Sequence, residues 1–336
     1  MKQKHLQYLC CPDCQSDFQL EVAKQDGVEV VSGQLKCAHC NQSYEIKCGV
    51  PRILADKIES DKLKSAENFS YEWKTFSELS DKYREQFLDW LAPVPADFFK
   101  DKVVLDCGCG KGRHTHWSAK FGARDVIGID LGTTVEVAYK NTREFDNVSV
   151  IQCDIYKMPL KPAFDFSYSI GVLHHLPNPA AGFGAMCAQL KPGGRVSAWV
   201  YGREGNGWIV YLLNPVRKLI TSRLPLAITK VIAFCLTCIL QPALKIIYKP
   251  INEVQFLAPL RRLLFYNDYL YYISKFNFKE NYSIVFDHLL APTAFYIKRD
   301  DFASWFTNNN LQDVKIEWHN KNSWRGTATV SRMERE

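Results

Sequence analysis

The sequence predicts an α/β protein whose parallel sheet is covered by helices on both faces. Three observations carry that prediction. From Val103 to Tyr201, short apolar runs alternate with helical patterns and glycine-rich loops, as in a chain of β-α-β units. The 336 residues are 47% hydrophobic and 23% charged, enough for two or three domains with a real core. Six of the twelve cysteines fall in the first 48 positions, marking that end as a different kind of module.

In that module Phe18–Val22 and Val28–Val31 alternate around an Asp26-Gly27 turn, a hairpin signal. The pairs Cys11-Pro-Asp-Cys14 and Cys37-Ala-His-Cys40 flank it. Each Cys-x-x-Cys turn puts two sulfurs on one side of a tight loop, so two turns offer four soft ligands to a tetrahedral zinc. Four cysteines leave no open position, and the zinc is therefore expected to be structural. Cys10 and Cys48 read as buried thiols, although either can replace a neighbour as ligand; His39 reads as a spectator. A zinc-ribbon module is expected over residues 1–55.

Residues 56–100 are charged and aromatic. NFSYEWKTF and YREQFLDWL sit at helical spacing and end near Pro93 and Pro95, which predicts a helical linker or lid. The core, 101–202, then runs in order. VVLDC is a strand, GCGKGR a loop and HTHWSAKF a helix closed by Gly122. DVIGID is the second strand, and Thr133 with Glu136 reads as a capping box opening TVEVAYKN. VSVIQCD and FDFSYSI are the third and fourth strands. A helix from Pro179 to Leu190 is stopped by Pro192-Gly193-Gly194, and RVSAWVY is the fifth strand. Residues 203–293 break this rhythm and read as a helical, apolar and basic cap insertion. The sheet is expected to resume in 294–336 with VKIEW and TATVS.

The charge is uneven. Residues 201–265 hold nine basic and two acidic side chains, a local +7; the whole chain is +6, so the rest sums to −1. The longest charge-free apolar stretch, Val231 to Leu244, is 14 residues, short of the ~20 that cross a bilayer. An apolar stretch flanked by Lys and Arg suits a membrane interface, an acceptor lid or a dimer surface. The start lacks an apolar run of signal-peptide length, and the cysteines are too sparse for a disulfide scaffold. A cytoplasmic protein, peripheral to a membrane, is the expectation.

The chemistry-bearing residues lie at strand ends. Gly108, Gly110 and Gly112 allow a tight turn and close backbone approach to a ligand. Asp106 precedes them. Asp130 ends the second strand 24 residues after Asp106, where a carboxylate can accept both ribose hydroxyls. Asp154 ends the third, within reach of an adenine amino group. Both aspartates fall on the side where open α/β sheets bind ligands.

The phrases LDCGCGKGRH, VIGIDL, CDIYKMPL and FDFSYSIGVLHHL…LKPGGR resemble class I S-adenosylmethionine-dependent methyltransferases, the group of the ubiquinone and menaquinone biosynthesis enzymes, over about residues 100–202. The cysteine pairs and Gly49-Val50-Pro51-Arg52-Ile53-Leu54 resemble the zinc ribbon of the tRNA-methyltransferase activator family over about residues 5–55. A similar ribbon precedes the catalytic domain of some bacterial rRNA guanine methyltransferases. The first resemblance implies a Rossmann-like seven-stranded sheet with one antiparallel strand. It further implies S-adenosylmethionine as cofactor, with Asp106, Gly108 and Gly110 around its methionine part; Arg113 would hold the cofactor carboxylate or only sit at the helix N-terminus. Asp130 would take the ribose, Leu131, Asp154 and Ile155 the adenine, and Ser169 the sulfonium end. Tyr71 and Trp73 would close over the cofactor or pack as core.

Methyl transfer is an in-line displacement at an activated carbon, so it mostly needs alignment and exclusion of water. A base is needed only for a weakly acidic acceptor. His174, His175 and His288 are the candidates. An Asn/Asp-Pro-Pro-Tyr phrase is absent, which counts against exocyclic-amine methylation of bases, and Cys153 belongs to the adenine strand. The expected function is methyl transfer to a small organic acceptor, apolar or lipid-linked, with oxygen favoured. An RNA methyltransferase gripping its substrate with the ribbon is the first alternative, and a non-catalytic cofactor-binding module the second. The expected partners are a small or lipid-like acceptor, a membrane surface touching the 203–265 cap, and a second copy in a homodimer; nucleic acid is less favoured.

Overall fold

The computed structural model describes residues 1–55, 58–221, 224–290 and 294–332. The expected boundaries at 55/56 and 293/294 abut segments outside these residues, and Arg223 lies outside them.

Eleven strands form one sheet: β1 (Phe18–Asp26), β2 (Glu29–Cys37), β3 (Ser43–Lys47), β4 (Val50–Ile53), β5 (Val103–Cys107), β6 (Asp125–Asp130), β7 (Val148–Cys153), β8 (Phe164–Ile170), β9 (Leu190–Tyr201), β10 (Leu311–His319) and β11 (Ser323–Val330). Their order is β1-β2-β3-β4-β7-β6-β5-β8-β9-β11-β10. The strands from β7 to β10 in this order are the expected seven-stranded Rossmann-like sheet; β5 to β9 run parallel, and β11 is antiparallel to both β9 and β10. Every residue of β5 and β7 is buried, as a sheet covered on both faces requires. Side chains alternate between two cores. Val103 and Leu105 face Phe183, Phe302 and Phe306, while Val104 faces Phe87, Phe99 and Phe166.

The helices are α1 (Ser60–Thr75), α2 (Tyr83–Leu91), α3 (Arg113–Lys120), α4 (Val135–Thr142), α5 (Pro179–Ala188), α6 (Asn214–Leu219), α7 (Leu226–Ala243), α8 (Lys249–Glu253), α9 (Asn267–Ser274), α10 (Phe278–Leu290) and α11 (Arg299–Asn308). A π-helical segment, Leu244–Tyr248, joins α7 to α8. Helices α6 to α10 form the cap between β9 and α11.

Two local expectations are corrected. Pro192-Gly193-Gly194 does not merely stop α5: it lies inside β9, which starts at Leu190 and absorbs the kink as a register shift against β8. The N-cap of α4 is Thr134, not Thr133, and its side chain makes no cap hydrogen bond, so the Thr133–Glu136 pattern is not a capping box. The sequence also left unread how the ribbon joins the larger sheet. Strand β4 pairs in parallel with β7, Arg52 opposite Gln152 and Ile53 opposite Cys153. His5 and Tyr8 clamp this junction: His5 Nε2 lies 2.9 Å from Asp125 Oδ1, and the Tyr8 hydroxyl donates to Asp125 Oδ2 at 2.6 Å.

Candidate functional site

The C-terminal ends of β5, β6, β7 and β8 open into a crevice roofed by α1 and the cap, a cavity of about 260 Å³. At its floor the β5–α3 loop turns on Gly108, with φ +85°. A Cβ at Gly108 would stand 2.3 Å from Val172 Cγ2, so only glycine fits. Asp130 lies across this loop: its carboxylate accepts the Gly110 and Gly132 amides, each at 2.9 Å. These bonds fix the carboxylate at the crevice wall. Asp154 accepts the Tyr156 amide at 3.0 Å and pairs with Lys62 at 2.5 Å.

Of the residues singled out from sequence, Gly108, Gly110, Arg113, Asp130, Leu131, Asp154, Ile155, His175, His288 and Trp73 line this one cavity. Asp106, Ser169, Tyr71 and His174 stand behind it. Asp106 is buried and accepts the Thr115 hydroxyl at 2.6 Å; burial pushes its carboxyl up to about 7. The Ser169 hydroxyl donates to the Cys107 carbonyl at 2.9 Å, which anchors β8 to β5. Tyr71 packs on Phe286, with ring centroids 6.1 Å apart. His174 is fully buried against Tyr201, centroids 4.0 Å apart, with Nε2 lacking a hydrogen-bond partner. Burial pushes its imidazole well below the usual range, and pushes that of His288 down as well. His288 Nε2 lies 3.1 Å from the Tyr269 hydroxyl.

Sequence reasoning missed several lining groups. Lys62, Ala66, Phe69 and Glu72 form a stripe on α1 beside Trp73; their three- and four-residue spacing was a readable signal. Glu72 is 1% exposed, accepts the Ser283 hydroxyl at 2.9 Å and leaves Oε2 unpartnered. Burial first, and Asp287 second, hold its carboxyl well above the usual carboxylate range. Lys111, inside the glycine loop, donates to the Phe76 and Glu78 carbonyls at 2.8 and 2.9 Å. Burial and the neighbouring Arg113 push its ammonium down to about 7. The Arg113 guanidinium lies over Trp73, Tyr83 and Trp90, 5.2–5.4 Å from each ring centroid. The cap supplies Tyr266, Tyr269, Tyr272 and Asp287 to the cavity. No motif announces these four, because tertiary packing alone brings them over the β8 end.

A second cluster lies in the ribbon. The sulfurs of Cys11, Cys14, Cys37 and Cys40 all lie within 4.8 Å of one another. The Cys11–Cys40 and Cys14–Cys37 distances are 3.6 and 3.4 Å, too long for disulfides and suited to four thiolates around one ion at ~2.3 Å. The His39 and Cys40 amides donate to Cys37 Sγ at 3.4 Å, which steadies a thiolate. The buried Cys10 thiol instead reaches Gln15, whereas Cys48, expected to be buried, is exposed outside the cluster.

A family model described as "Methyltransferase domain" matches residues 98–201, the span that carries the parallel strands and the glycine loop of the crevice. A curated relative named tRNA U34 carboxymethyltransferase, from Pseudoalteromonas translucida, is 28% identical over 173 residues, 48% of this chain and 53% of that protein. One of the same name from Actinobacillus pleuropneumoniae is 33% identical over 37% of each chain. The chain thus spans about half the length, or less, of these curated relatives. Among solved structures, an S-adenosylmethionine-dependent methyltransferase from Mesorhizobium loti is 26% identical over 34% of this chain and 51% of its own, with a TM-score of 0.31. The phosphoethanolamine N-methyltransferase 2 of Haemonchus contortus is 14% identical over 94% of this chain and 69% of its own, with a TM-score of 0.46.

Proposed function

We propose that this chain transfers a methyl group from S-adenosylmethionine to an acceptor seated under the cap. The observation that carries the reading is the meeting of two environments in one cavity: the glycine loop with Asp130 and Asp154 on one side, and the tyrosine- and histidine-lined cap on the other. Asp130 and Asp154 would hold the ribose and adenine, with Leu131 and Ile155 beside them. Arg113 and Lys111 would face the methionine carboxylate. The cofactor supplies a sulfonium-activated methyl group. The chain's residues orient the acceptor against it and keep water out, as an in-line displacement requires. His175 and His288 are the lining imidazoles that would take a proton from a weakly acidic acceptor. His174 would position them from behind. In the ribbon, Cys11, Cys14, Cys37 and Cys40 would hold a structural zinc.

For the acceptor, the names of the curated relatives support RNA, with the ribbon as a docking element, over the small organic acceptor expected from the sequence. The small acceptor stands as a second reading for one reason: the crevice is lined by aromatic side chains around His288, with Tyr201 stacked on it and on Tyr296 and the Tyr269 hydroxyl beside it. One experiment separates them. Labelled S-adenosylmethionine is incubated with the protein and a cell extract, which is then split into RNA, lipid and aqueous fractions. Label removed from macromolecules by ribonuclease selects RNA, and label in lipid or metabolites selects the small acceptor. No transfer into any fraction, with cofactor binding intact, would leave the chain a cofactor-binding module.

A further inference from the structure

The cap wears many of its large apolar side chains outward. Helix α7 buries Thr229, Ala233 and Thr237 at four-residue steps, a small and partly polar stripe, against α10. Two bonds fasten it there. The Tyr282 hydroxyl donates to the Lys230 carbonyl at 3.0 Å, and Asn281 donates to Gln241 at 2.7 Å. At 100° per residue the opposite side presents Ile228, Val231 and Ile239, which are 48%, 62% and 74% exposed. The pattern continues into neighbouring segments, with Ile246 73%, Phe256 80% and Leu263 75% exposed. Among the described residues, 17 of the 23 exposed large hydrophobic side chains fall within residues 211–265. That density far exceeds the scattered apolar exposure of an ordinary surface.

Charge narrows the choice of occupant. No Asp or Glu occurs between Glu204 and Glu253; of the basic side chains described in and after this stretch, Arg217 is buried and Lys245 donates inward to the Ser274 and Phe276 carbonyls, whereas Lys230 and Lys249 are half-exposed and Arg261 and Arg262 exposed. An apolar face on a segment of net positive charge, on a helix lying along the protein, matches an anionic lipid surface. The helix from Leu226 to Glu253 has the length and hydropathy of a membrane span. Its Thr229–Thr237 stripe is nevertheless committed to α10, so the helix is held parallel to the protein surface. Only 17% of its most apolar window is buried inside the protein, which excludes an ordinary core helix.

We propose that the outward face of residues 211–221 and 224–265 is a docking surface for an anionic lipid bilayer, with α7 lying in the interface plane. The inference concerns where the protein sits and does not depend on the acceptor. The test is flotation of the full chain with phosphatidylcholine vesicles, with and without phosphatidylglycerol, alongside sedimentation of the protein alone. Wild-type protein is expected to float with phosphatidylglycerol vesicles and less with neutral ones. The triple variant Ile239→Ser, Ile246→Ser, Phe256→Ser should lose at least about tenfold in bound fraction while keeping the wild-type circular dichroism. Failure of the wild type to float with either vesicle overturns the proposal. So does equal flotation of the variant. A stable dimer that the same three substitutions dissociate, without flotation, assigns the face to a second copy instead.

Discussion

The ribbon and the cap are both additions to the same core, and they attach in opposite ways. The ribbon is joined by backbone pairing of β4 with β7 and by His5 and Tyr8 on Asp125. Its Phe18, Val30, Leu35 and Ile46 merge with Leu105 and Ile127 in one continuous core. The cap holds small separate clusters, Phe76 with Ala233 and Phe286, and Leu244 with Ile273 and Phe276. Many of its other large apolar side chains, Ile239, Phe256 and Leu263 among them, point outward. The ribbon therefore behaves as an edge of the main sheet, whereas the cap is a partly independent layer whose outer face contributes little to folding. Each contrast predicts where a substitution will be felt.

The largest effect is expected at the ribbon. Cys37→Ser, or zinc chelation, should lower stability by about 4 kcal/mol or more, because metal binding and local folding are one equilibrium in such sites. The β4–β7 pairing makes a sharper claim: thermal unfolding should stay a single transition that shifts as a whole. If a ribbon probe melts separately while the core tryptophans keep the wild-type midpoint, the comparison fails.

Next is the core between the two additions. Asp130→Ala should weaken S-adenosylmethionine binding by about 2–3 kcal/mol, roughly 30- to 150-fold, from loss of charge-assisted bonds to the ribose. Titration calorimetry checks this, with zinc content and thermal midpoint as controls that neither addition has been disturbed. Undiminished affinity would remove Asp130 from the ribose site.

The cysteine cluster and the floor of the crevice were legible in sequence because their signals are local. Fixed Cys-x-x-Cys spacing and a glycine loop followed by aspartates at strand ends need no knowledge of tertiary contacts. Gly108, Asp130 and Asp154 were found that way, as was the seven-stranded sheet. What stayed hidden depends on packing between distant elements. Glu72 sits between Tyr71 and Trp73, yet the helix turns Tyr71 away toward Phe286 and Glu72 inward. Asp287 reaches the same cavity from more than 200 residues away. The β4–β7 pairing was equally unreadable, since four residues carry no mark of their partner strand.

A smaller effect, on pH dependence, tests the cap–lid contact. Glu72 on α1 faces Ser283 and Asp287 on α10, with Lys111 and Arg113 opposing the upward push on its carboxyl. A carboxyl raised in the folded state favours folding fully only below its unfolded value, near 4.5. Stability is therefore lost as pH rises from there through the folded value, because the unfolded chain releases the proton first. The stability curve should therefore slope downward with rising pH over that range. Glu72→Gln should flatten it, read as urea midpoints at several pH values. An unchanged slope would mean that water reaches Glu72.

The smallest expected effect is the most discriminating for the comparison, because it sets the two faces of one helix against each other. Ala233 is fully buried against α10, and Thr237 beside it is also fully buried. A leucine at 233 has no room to enter, so Ala233→Leu should cost about 1–3 kcal/mol. On the opposite side, Ile239 is 74% exposed, and Ile239→Ser should change the urea midpoint by no more than about 0.5 kcal/mol. In a core helix, removing a large aliphatic side chain would cost several times more. Matched losses at both positions would mean that the outer face is packed in solution, by a second copy or by another part of the chain, and the claim of a partly independent layer would fall. A large loss at 233 with none at 239 would show that α7 is held by its small, polar stripe while its large apolar side chains do nothing for the fold.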